Sequence, residues 1–191
     1  FQESRIYSYL DSARLLTGYL EFKDLYTKKH CERVSRLALS IGKALKLKSE
    51  DMMSLELAGL LHDIGKLAIP DEILKKEGKL TQEEYEIIKL HPPLGCELLK
   101  SISYFHTSRT ILLQHHERMD GKGYPHGLTK DEIHIGARIL AVADAFDAMI
   151  SSRPYRKTGL MKDAAIAQLE LHSGTQFDQE VVEAFVSLMS N

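Results

Sequence analysis

Apolar residues recur at helical spacing along most of the chain, with polar residues on the opposite face. The pattern is clear in two segments, RVSRLALSIGKALKL and SLELAGLLHDIGK. Their apolar stripes consist of Val34, Leu37, Ala38, Ile41 and Leu45 in the first segment and of Leu57, Leu60 and Leu61 in the second. No segment shows the sustained apolar–polar alternation that is typical of strands. The pattern therefore predicts an all-α bundle.

Capping signals predict where several helices begin. The tetrapeptides TQEE (81–84) and TKDE (129–132) have the Thr-x-x-Glu spacing of a capping box. The first predicts a helix that ends near His91, where the following prolines interrupt it. The second predicts the start of the apolar helix IGARILAVADAFDAMI, and a last helix is expected after Asp178.

The first 22 residues predict an amphipathic helix of their own. Its apolar positions are Ile6, Tyr9, Leu10, Leu16 and Leu20. We expect residues 1–22 to pack on the bundle or to link it to an upstream domain, and residues 23–191 to form the main domain. Because the chain begins with Phe1 rather than Met, we expect it to be part of a longer protein with an upstream sensor or receiver domain.

Composition and charge limit the class of protein. With 43% hydrophobic and 27% charged residues the chain can form a core. Its net charge of -2 does not predict a surface for polymeric nucleic acid, although a small phosphorylated ligand needs only a local basic pocket. Cys31 and Cys96 cannot form a disulfide framework, so both are expected to be buried thiols in a reducing cytoplasm. No membrane span or signal peptide is predicted.

The histidines and two aspartates are the candidates for chemistry. Among nine histidines, five fall at predicted helix ends, and one aspartate lies within the most apolar helix. Each of these residues alone also fits an ordinary structural role, such as a helix cap or, for Asp144, an ion pair with Arg138. His106, His126, His134 and His172 are expected to have surface or structural roles. Together the remaining set predicts a dinuclear metal site in the bundle core, formed by His30, His62, Asp63, His91, His115, His116 and Asp144.

Five motifs give the chain a family resemblance. HDIGK, HHERMDGKGYP, DLYTKKHCERV, ADAFDAM and RPYR together resemble the HD-GYP family of HD metal-dependent phosphohydrolases, from about Asp24 to Asp178. The resemblance implies a bacterial cytoplasmic enzyme that hydrolyses the second messenger cyclic di-GMP to pGpG or GMP. The alternatives are an HD hydrolase of another nucleotide, or a weakly active module that binds cyclic di-GMP.

The resemblance also implies the metal ligands. We expect His30, His62 and Asp144 around one metal, His91, His115 and His116 around the other, and Asp63 bridging them. Some members bind a third metal through a glutamate one turn before the position of His30, where this chain has Tyr26, so two metals are expected. An imidazole-rich ligand set favours iron or manganese, with zinc or nickel as alternatives.

Further residues are expected to bind the substrate or to support the ligands. Lys66 would steady the scissile phosphate, and Arg153 and Arg156 would bind phosphate or guanine, unless they only offset a helix dipole. Glu117 and Asp147 are candidates to support a ligating histidine or to form simple ion pairs.

The loop after His116 carries the GYP motif. It comprises Asp120, Gly121, Gly123, Tyr124 and Pro125, and its glycines predict a turn with unusual backbone angles. Because the loop leaves directly from a candidate ligand, we expect Tyr124 at the rim of the site, where it serves substrate access or partner contact rather than catalysis. The resemblance implies diguanylate cyclase domains as partners of this loop.

Overall fold

The computed structural model describes the backbone of residues 2–23, 27–151 and 158–190, and the side chains of residues 8–20, 23, 29–151 and 158–190. Within these ranges the chain forms α-helices and no β-strand, which confirms the all-α prediction. The helices are α1 (Gln2–Lys23), α2 (Thr27–Ala44), α3 (Ser49–Leu61), α4 (Asp71–Leu74), α5 (Gln82–Ile88), α6 (His91–Leu98), α7 (His106–Gln114), α8 (Ile135–Ile150), α9 (Lys162–Leu171) and α10 (Gln179–Met189).

The two predicted capping boxes have different outcomes. At α5 the box is complete, because Glu84 N donates to Thr81 Oγ1 (3.3 Å) and Thr81 N donates to Glu84 Oε2 (2.7 Å). The box at Thr129 also forms, but it closes only a 3₁₀ turn. The prediction that it starts the long helix was wrong, since Ile133 is extended and α8 begins at Ile135. His134 caps α8 instead, with Nδ1 accepting from Gly136 N at 3.0 Å.

The prolines after His91 both end one helix and allow the next to begin. Helix α5 ends at Ile88, as the sequence predicted. Helix α6 then starts at His91 itself, with Pro92 in its first turn, where no backbone N–H is needed. The candidate ligand His91 is therefore held at a helix start rather than in a loop.

Two apolar clusters form the core in the described part of the chain. The larger lies among α2, α3, α8, α9 and α10 and includes Val34, Ile41, Leu55, Leu140, Phe146 and Phe185. The smaller lies under α1 and includes Leu10, Ala13, Leu20, Leu61, Phe105 and Leu112. Helix α1 packs on the bundle, and Thr17 donates to the carbonyl of Leu60 at 3.0 Å. Helix α3 packs against α1, α2, α7 and α8, and the histidine–aspartate pair directly follows its C-terminal end.

No helix in the described ranges is both long and apolar enough to cross a lipid bilayer.

Candidate metal centre

Helix ends and one helix interior bring the seven candidate ligands together. His62 and Asp63 directly follow α3, His91 starts α6, and His115 and His116 follow α7. His30 lies in the first turns of α2, and Asp144 lies in the middle of α8. The side chains of five of them are buried, while His116 and Asp144 are half-buried and face a cavity.

Six of the seven residues fall into two compact groups. The potential ligand atoms of His30, His62 and Asp144 lie within 4.8 Å of one another, and those of His91, His115 and His116 do the same. The two groups contain the residues expected around each metal, and their binding of metal stays a prediction. His106, His126, His134 and His172 belong to neither group among the described residues.

Asp63 lies between the two groups and faces each with a different oxygen. Its Oδ1 is 3.6 Å from His91 Nε2 in one group. Its Oδ2 is 3.5 Å from His62 Nε2 and 4.0 Å from His30 Nε2 in the other. Burial would raise the pKa of this carboxyl, but Lys66 and the surrounding imidazoles hold the pKa well below its usual range. Asp63 is therefore an anion with one oxygen available to each group.

Backbone carbonyls fix the orientation of three of the imidazoles. In each case Nδ1 lies within hydrogen-bonding distance of the carbonyl oxygen three residues earlier: Gly59 for His62 (2.9 Å), Ile88 for His91 (2.8 Å) and Leu112 for His115 (2.6 Å). A carbonyl oxygen only accepts, so Nδ1 carries the proton. In the neutral ring Nε2 then carries a lone pair that is directed into the site, which is the usual arrangement of a metal-binding histidine.

The facing imidazoles of His91 and His115 fit a bound cation. Their Nε2 atoms lie 3.4 Å apart. Burial lowers the pKa of His91 to about 3 and holds that of His115 well below its usual value, so both rings are neutral at physiological pH. Because both protons are on Nδ1, two lone pairs face each other across this distance. A divalent metal ion would turn this repulsion into coordination.

An unpartnered atom in the other group fits a cation equally well. His62 Nε2 is buried and accepts no hydrogen bond in the described part of the chain. Leaving a buried polar atom unpaired costs about 1–3 kcal/mol. A metal ion held with His30 and Asp144 would satisfy it. The donor set, rich in imidazole and containing carboxylates, suits a divalent transition metal.

His30 is supported by a carboxylate rather than a carbonyl. Its Nδ1 is 2.7 Å from Asp147 Oδ2, and its Nε2 is 3.1 Å from Asp144 Oδ1. Arg33 Nε in turn donates to Asp147 Oδ1 at 2.6 Å. Both roles considered for Asp147, support of a histidine and pairing with an arginine, are thus observed. Burial alone would lower the pKa of His30, but the two carboxylates overcome this effect and raise the pKa to about 9.

Two predicted polar partners are wrong. Arg138 does not pair with Asp144, because its guanidinium donates to Asp178 Oδ2 at 2.9 Å and to the carbonyl of Ile133 at 2.8 Å. Glu117 does not support a ligating histidine. Its carboxylate instead accepts the backbone N–H groups of His126 (2.7 Å) and Leu128 (3.0 Å). Spacing along α8 or next to a histidine pair could not reveal these long-range partners.

The GYP loop is held close to His116. Gly121 has a φ of 74°, as the predicted turn requires, whereas Gly123 is needed for a different reason. A Cβ at Gly123 would lie 2.5 Å from Arg118 N and 2.6 Å from the carbonyl oxygen of His116. This close approach lays the ring of Tyr124 against that of His116, with centroids 4.8 Å apart. Tyr124 thus lies at the rim of the site.

Asp120 fixes the start of the loop. Arg118 donates to both carboxylate oxygens of Asp120, at 2.9 and 2.8 Å, and a third donor of its guanidinium reaches Gln176 Oε1 at 2.7 Å. The hydrogen bond from Arg118 holds the pKa of Asp120 at about 2. The backbone N–H of Asp120 also donates to the carbonyl of Thr175 at 2.8 Å. Asp120 therefore ties the loop to the segment between α9 and α10.

The expected substrate-binding residues are only partly described. Lys66 Nζ donates to Asp63 Oδ2 at 2.7 Å, which places its ammonium group beside the carboxylate between the two groups. Burial would lower the pKa of Lys66, yet Asp63 raises it, so the side chain is a cation. Arg153, Arg156 and Tyr26 lie outside the described residues.

A cavity of about 430 Å³ opens onto the ligands. Several of its lining residues were not predicted, since no motif or periodicity points to them. The lining consists of Tyr85, His115, His116, Glu117, Arg118, Lys122, Gly123, Tyr124, Ala141, Asp144, Ala145, Gln176 and Phe177. The volume is in the range of small-molecule sites.

The thiol of Cys31 lies at the edge of the centre. Cys31 is fully buried, as predicted, and its Sγ lies within 4.8 Å of potential ligand atoms of His62 and Asp63. Burial raises the pKa of this thiol well above its usual value. A small, fully buried side chain fits the packing role predicted for this cysteine.

Sequence relatives are enzymes of cyclic-dinucleotide signalling by name. A family model described as HD domain matches residues 14–181. The cyclic di-GMP phosphodiesterase response regulator RpfG of Xanthomonas campestris is 44% identical over 90% of this chain and 46% of its own length. A cyclic di-GMP phosphodiesterase of Thermotoga maritima is 42% identical over 91% of this chain and 48% of its own length. The 3'3'-cGAMP-specific phosphodiesterase 3 of Vibrio cholerae is 38% identical over 86% of this chain and 36% of its own length. The chain spans about half the length of the first two.

Solved structures share the fold. Bd1817, an HDG"Y"P protein from Bdellovibrio bacteriovorus, superposes with a TM-score of 0.72 at 21% identity, over 97% of this chain and 65% of the other. The HD domain of the L. monocytogenes phosphodiesterase PgpH, in complex with cyclic-di-AMP, superposes with a TM-score of 0.63 at 18% identity, over 92% of this chain and 95% of the other. At these identities the likeness establishes the fold alone. The family match, the ligand-bearing bundle and the intact GYP motif together mean that the chain belongs to the HD domain family, in its HD-GYP branch.

Proposed function

We propose that this chain is a metal-dependent phosphodiesterase that hydrolyses cyclic di-GMP to pGpG, to GMP, or to both. The observation that carries the proposal is the pair of facing lone pairs, on His91 and His115, beside a carboxylate that also faces a second histidine group. This arrangement opens onto a cavity of about 430 Å³. A cation site at the base of a ligand-sized cavity is what metal-assisted phosphate hydrolysis requires.

The proposed metal centre holds two ions. His30, His62 and Asp144 would bind one, His91, His115 and His116 the other, and Asp63 both. Iron or manganese suits this ligand set best, with zinc or nickel as alternatives. Bound in this way, two divalent ions supply a water of lowered pKa and neutralise charge on the phosphoryl oxygens.

The chain's own residues position the phosphate and the ligands. Asp147 and the three backbone carbonyls keep the Nε2 atoms of four histidines directed into the site. Lys66, a cation next to Asp63, is placed to bind a phosphate oxygen as a point charge. In the reaction water adds to phosphorus, the bond from phosphorus to the 3' oxygen breaks, and that oxygen takes a proton. Cleavage of one phosphodiester linkage gives pGpG, and cleavage of both gives GMP.

The choice of cyclic di-GMP rests on the relatives. Two of those with the highest identity have cyclic di-GMP in their names, and they exceed 40% identity. The second candidate is 3'3'-cGAMP, because a relative at 38% identity is named as specific for it. Arg153 and Arg156 remain proposed phosphate or guanine ligands. Diguanylate cyclase domains remain proposed partners of the GYP loop, and an upstream sensor or receiver domain remains proposed for the full-length protein.

Product chromatography under low oxygen tests the proposal. The protein is purified anaerobically, loaded with manganese or iron, and incubated separately with cyclic di-GMP and 3'3'-cGAMP. We expect pGpG or GMP from cyclic di-GMP, and no product after chelation of the metal. Asp63→Ala should lose both metal and turnover, whereas Asp71→Ala, which removes an exposed aspartate paired with Lys75, should lose neither. Full metal loading with tight binding and no product would make the chain a receptor instead.

A further inference from the structure

Tyr85 lies in the cavity although no motif marks it. It belongs to α5, faces the cavity that also contains His116 and Asp144, and is 44% exposed. A single exposed aromatic residue is ordinary. What sets Tyr85 apart is its position, because it lines the same cavity as Tyr124 of the GYP motif.

Lys89 connects the two aromatic rings. Its Nζ lies 5.5 Å from the centroid of Tyr85 and 5.6 Å from that of Tyr124. Both distances are within the range of a cation–π interaction. Lys89 is one helical turn after Tyr85, and its ammonium group also donates to Glu86 Oε1 at 2.9 Å. The lysine therefore holds a defined position between a ring of α5 and a ring of the GYP loop.

The second ring is fixed in turn by the metal centre. Tyr124 lies on His116, with the two ring planes inclined by 32°. Tyr124 therefore contacts both a candidate ligand and the ammonium group of Lys89, which reaches the cavity through the two tyrosines that line it. A dinucleotide whose phosphate reaches His116 and Asp144 must place a nucleoside in the remaining space of this cavity, which these tyrosines line.

The chemistry of these three side chains fits a purine base. Aromatic side chains bind bases by stacking, which contributes about 1–3 kcal/mol per base. An ammonium group donates to the O6 and N7 acceptors of guanine, whereas adenine has a donor, the 6-amino group, in place of O6. A stacking surface with a lysine at its edge therefore favours guanine over adenine.

We propose that Tyr85 and Lys89 form a guanine-binding subsite. Tyr85 stacks on one base of the cyclic dinucleotide, and Lys89 donates to the acceptor edge of that base. This inference rests on the proposed function and deepens it, because it assigns purine choice to α5, a helix that carries no metal ligand.

Binding and turnover are measured separately to test the subsite. The dissociation constants of cyclic di-GMP and cyclic di-AMP are determined by calorimetry on metal-free protein, where hydrolysis cannot interfere. KM and kcat are determined on manganese-loaded protein. The variants are Tyr85→Ala, Tyr85→Phe and Lys89→Met, with Tyr19→Ala as the matched control, since Tyr19 is a 57% exposed tyrosine on α1.

We expect Tyr85→Ala to weaken cyclic di-GMP binding and to raise KM roughly tenfold or more, with metal content and kcat little changed. Tyr85→Phe should restore most of the binding that Tyr85→Ala loses, because the ring remains. Lys89→Met should bring the ratio of the two dissociation constants close to one. Tyr19→Ala should behave as wild type.

The outcomes separate the subsite from the proposed function. If the wild type hydrolyses cyclic di-GMP and Tyr85→Ala has the same dissociation constant and KM as the wild type, the stacking role is overturned. An unchanged preference for guanine in Lys89→Met overturns the contact with the base. If the wild type binds cyclic di-GMP but does not hydrolyse it, and Tyr85→Ala binds it more weakly, the subsite is supported and the proposed function is overturned. Absence of both binding and turnover in the wild type overturns both.

Discussion

The Cα of Gly65 packs directly against the carbonyl oxygen of His91. A Cβ at position 65 would overlap that oxygen and would lie 2.6 Å from Gly95 N. Gly65 follows Asp63 by two residues, and His91 starts α6. The absence of a side chain therefore lets the chain after α3 approach α6 closely enough for Asp63 Oδ1 to lie 3.6 Å from His91 Nε2.

Gly65→Ala should separate these two ligands. Because the obstructing atoms are backbone, they cannot move aside cheaply, and we expect a loss of stability of about 1–3 kcal/mol together with loss of one bound metal. Urea unfolding and metal analysis by mass spectrometry measure the two effects. Gly18→Ala is the matched control: nothing lies within 4 Å of its Cβ position in α1, so it should gain up to about 1 kcal/mol in stability. Full metal content in Gly65→Ala would contradict the close-approach argument.

Asp147→Ala should lower the affinity for the metal that His30 would bind. The carboxylate accepts from His30 Nδ1 at 2.7 Å and keeps Nε2 directed into the site. Removing such a support typically costs 10–100-fold in metal affinity. Manganese titration of the apoprotein should reveal this loss at one site while the other retains its affinity.

Asp178→Ala provides the control for that change. Asp178 is also buried and paired with an arginine, but it caps α10 away from the centre. It should lose about 1 kcal/mol or more of stability with unchanged metal affinity. Equal effects of the two substitutions on metal binding would reject the supporting role of Asp147.

Glu117→Gln should loosen the GYP loop without removing metal. The carboxylate accepts the backbone N–H groups of His126 and Leu128, which directly follow the GYP motif, and the NH₂ group of a glutamine would face one of these N–H donors. Each lost charge-assisted bond is worth about 1.5–3 kcal/mol, so we expect higher KM and faster amide exchange between residues 121 and 128. Glu132→Gln, at an exposed capping box next to the loop, should change neither quantity. Metal loss in Glu117→Gln would show that the residue acts on the centre directly.

The apoprotein should be most stable near pH 6.5. The pKa of His30 is about 9 when folded, so its contribution is complete below the ordinary value of 6.5 and is lost as the pH rises through 9. The pKa values of His91 and His116 are lowered to about 3 and 4, so stability also falls as the pH decreases from 6.5 towards those values. We expect a loss of roughly 2–3 kcal/mol in the free energy of unfolding between pH 6.5 and 9.

Urea unfolding of chelator-treated protein at several pH values measures this dependence. His30→Gln should abolish the loss on the alkaline side and preserve the loss on the acidic side. A wild-type apoprotein with constant stability from pH 6.5 to 9 would contradict the raised pKa of His30.

Local sequence signals were sufficient for much of the fold. Helical periodicity around Val34 and Leu57 and the capping box at Thr81 each predicted an observed element, and the last helix begins after Asp178 as expected. These signals act within one or two helical turns, so they can be read without a tertiary structure. The apolar segment predicted as the long helix is α8, but the capping box at Thr129 was assigned to that helix wrongly, because the box closes only a short 3₁₀ turn and the backbone at Ile133 is extended.

The candidate ligands could be predicted, but the residues that support them mostly could not. Position at helix ends and the motif resemblance were enough to select the histidines. The partners of Glu117 and Arg138 depend on how loops and helices meet in space, and adjacency in sequence suggested the wrong ones. Tyr85 was missed for the same reason, since nothing in its own helix indicates which cavity it lines.

Anomalous scattering from a manganese-loaded crystal tests the metal centre most directly. We predict two peaks, one within roughly 2.0–2.3 Å of ligand atoms from His30, His62 and Asp144 and one at the same distance from His91, His115 and His116. Asp63 should contact both, with a different oxygen on each. A single peak, or two peaks of which either lacks its histidines, would contradict the two-metal account.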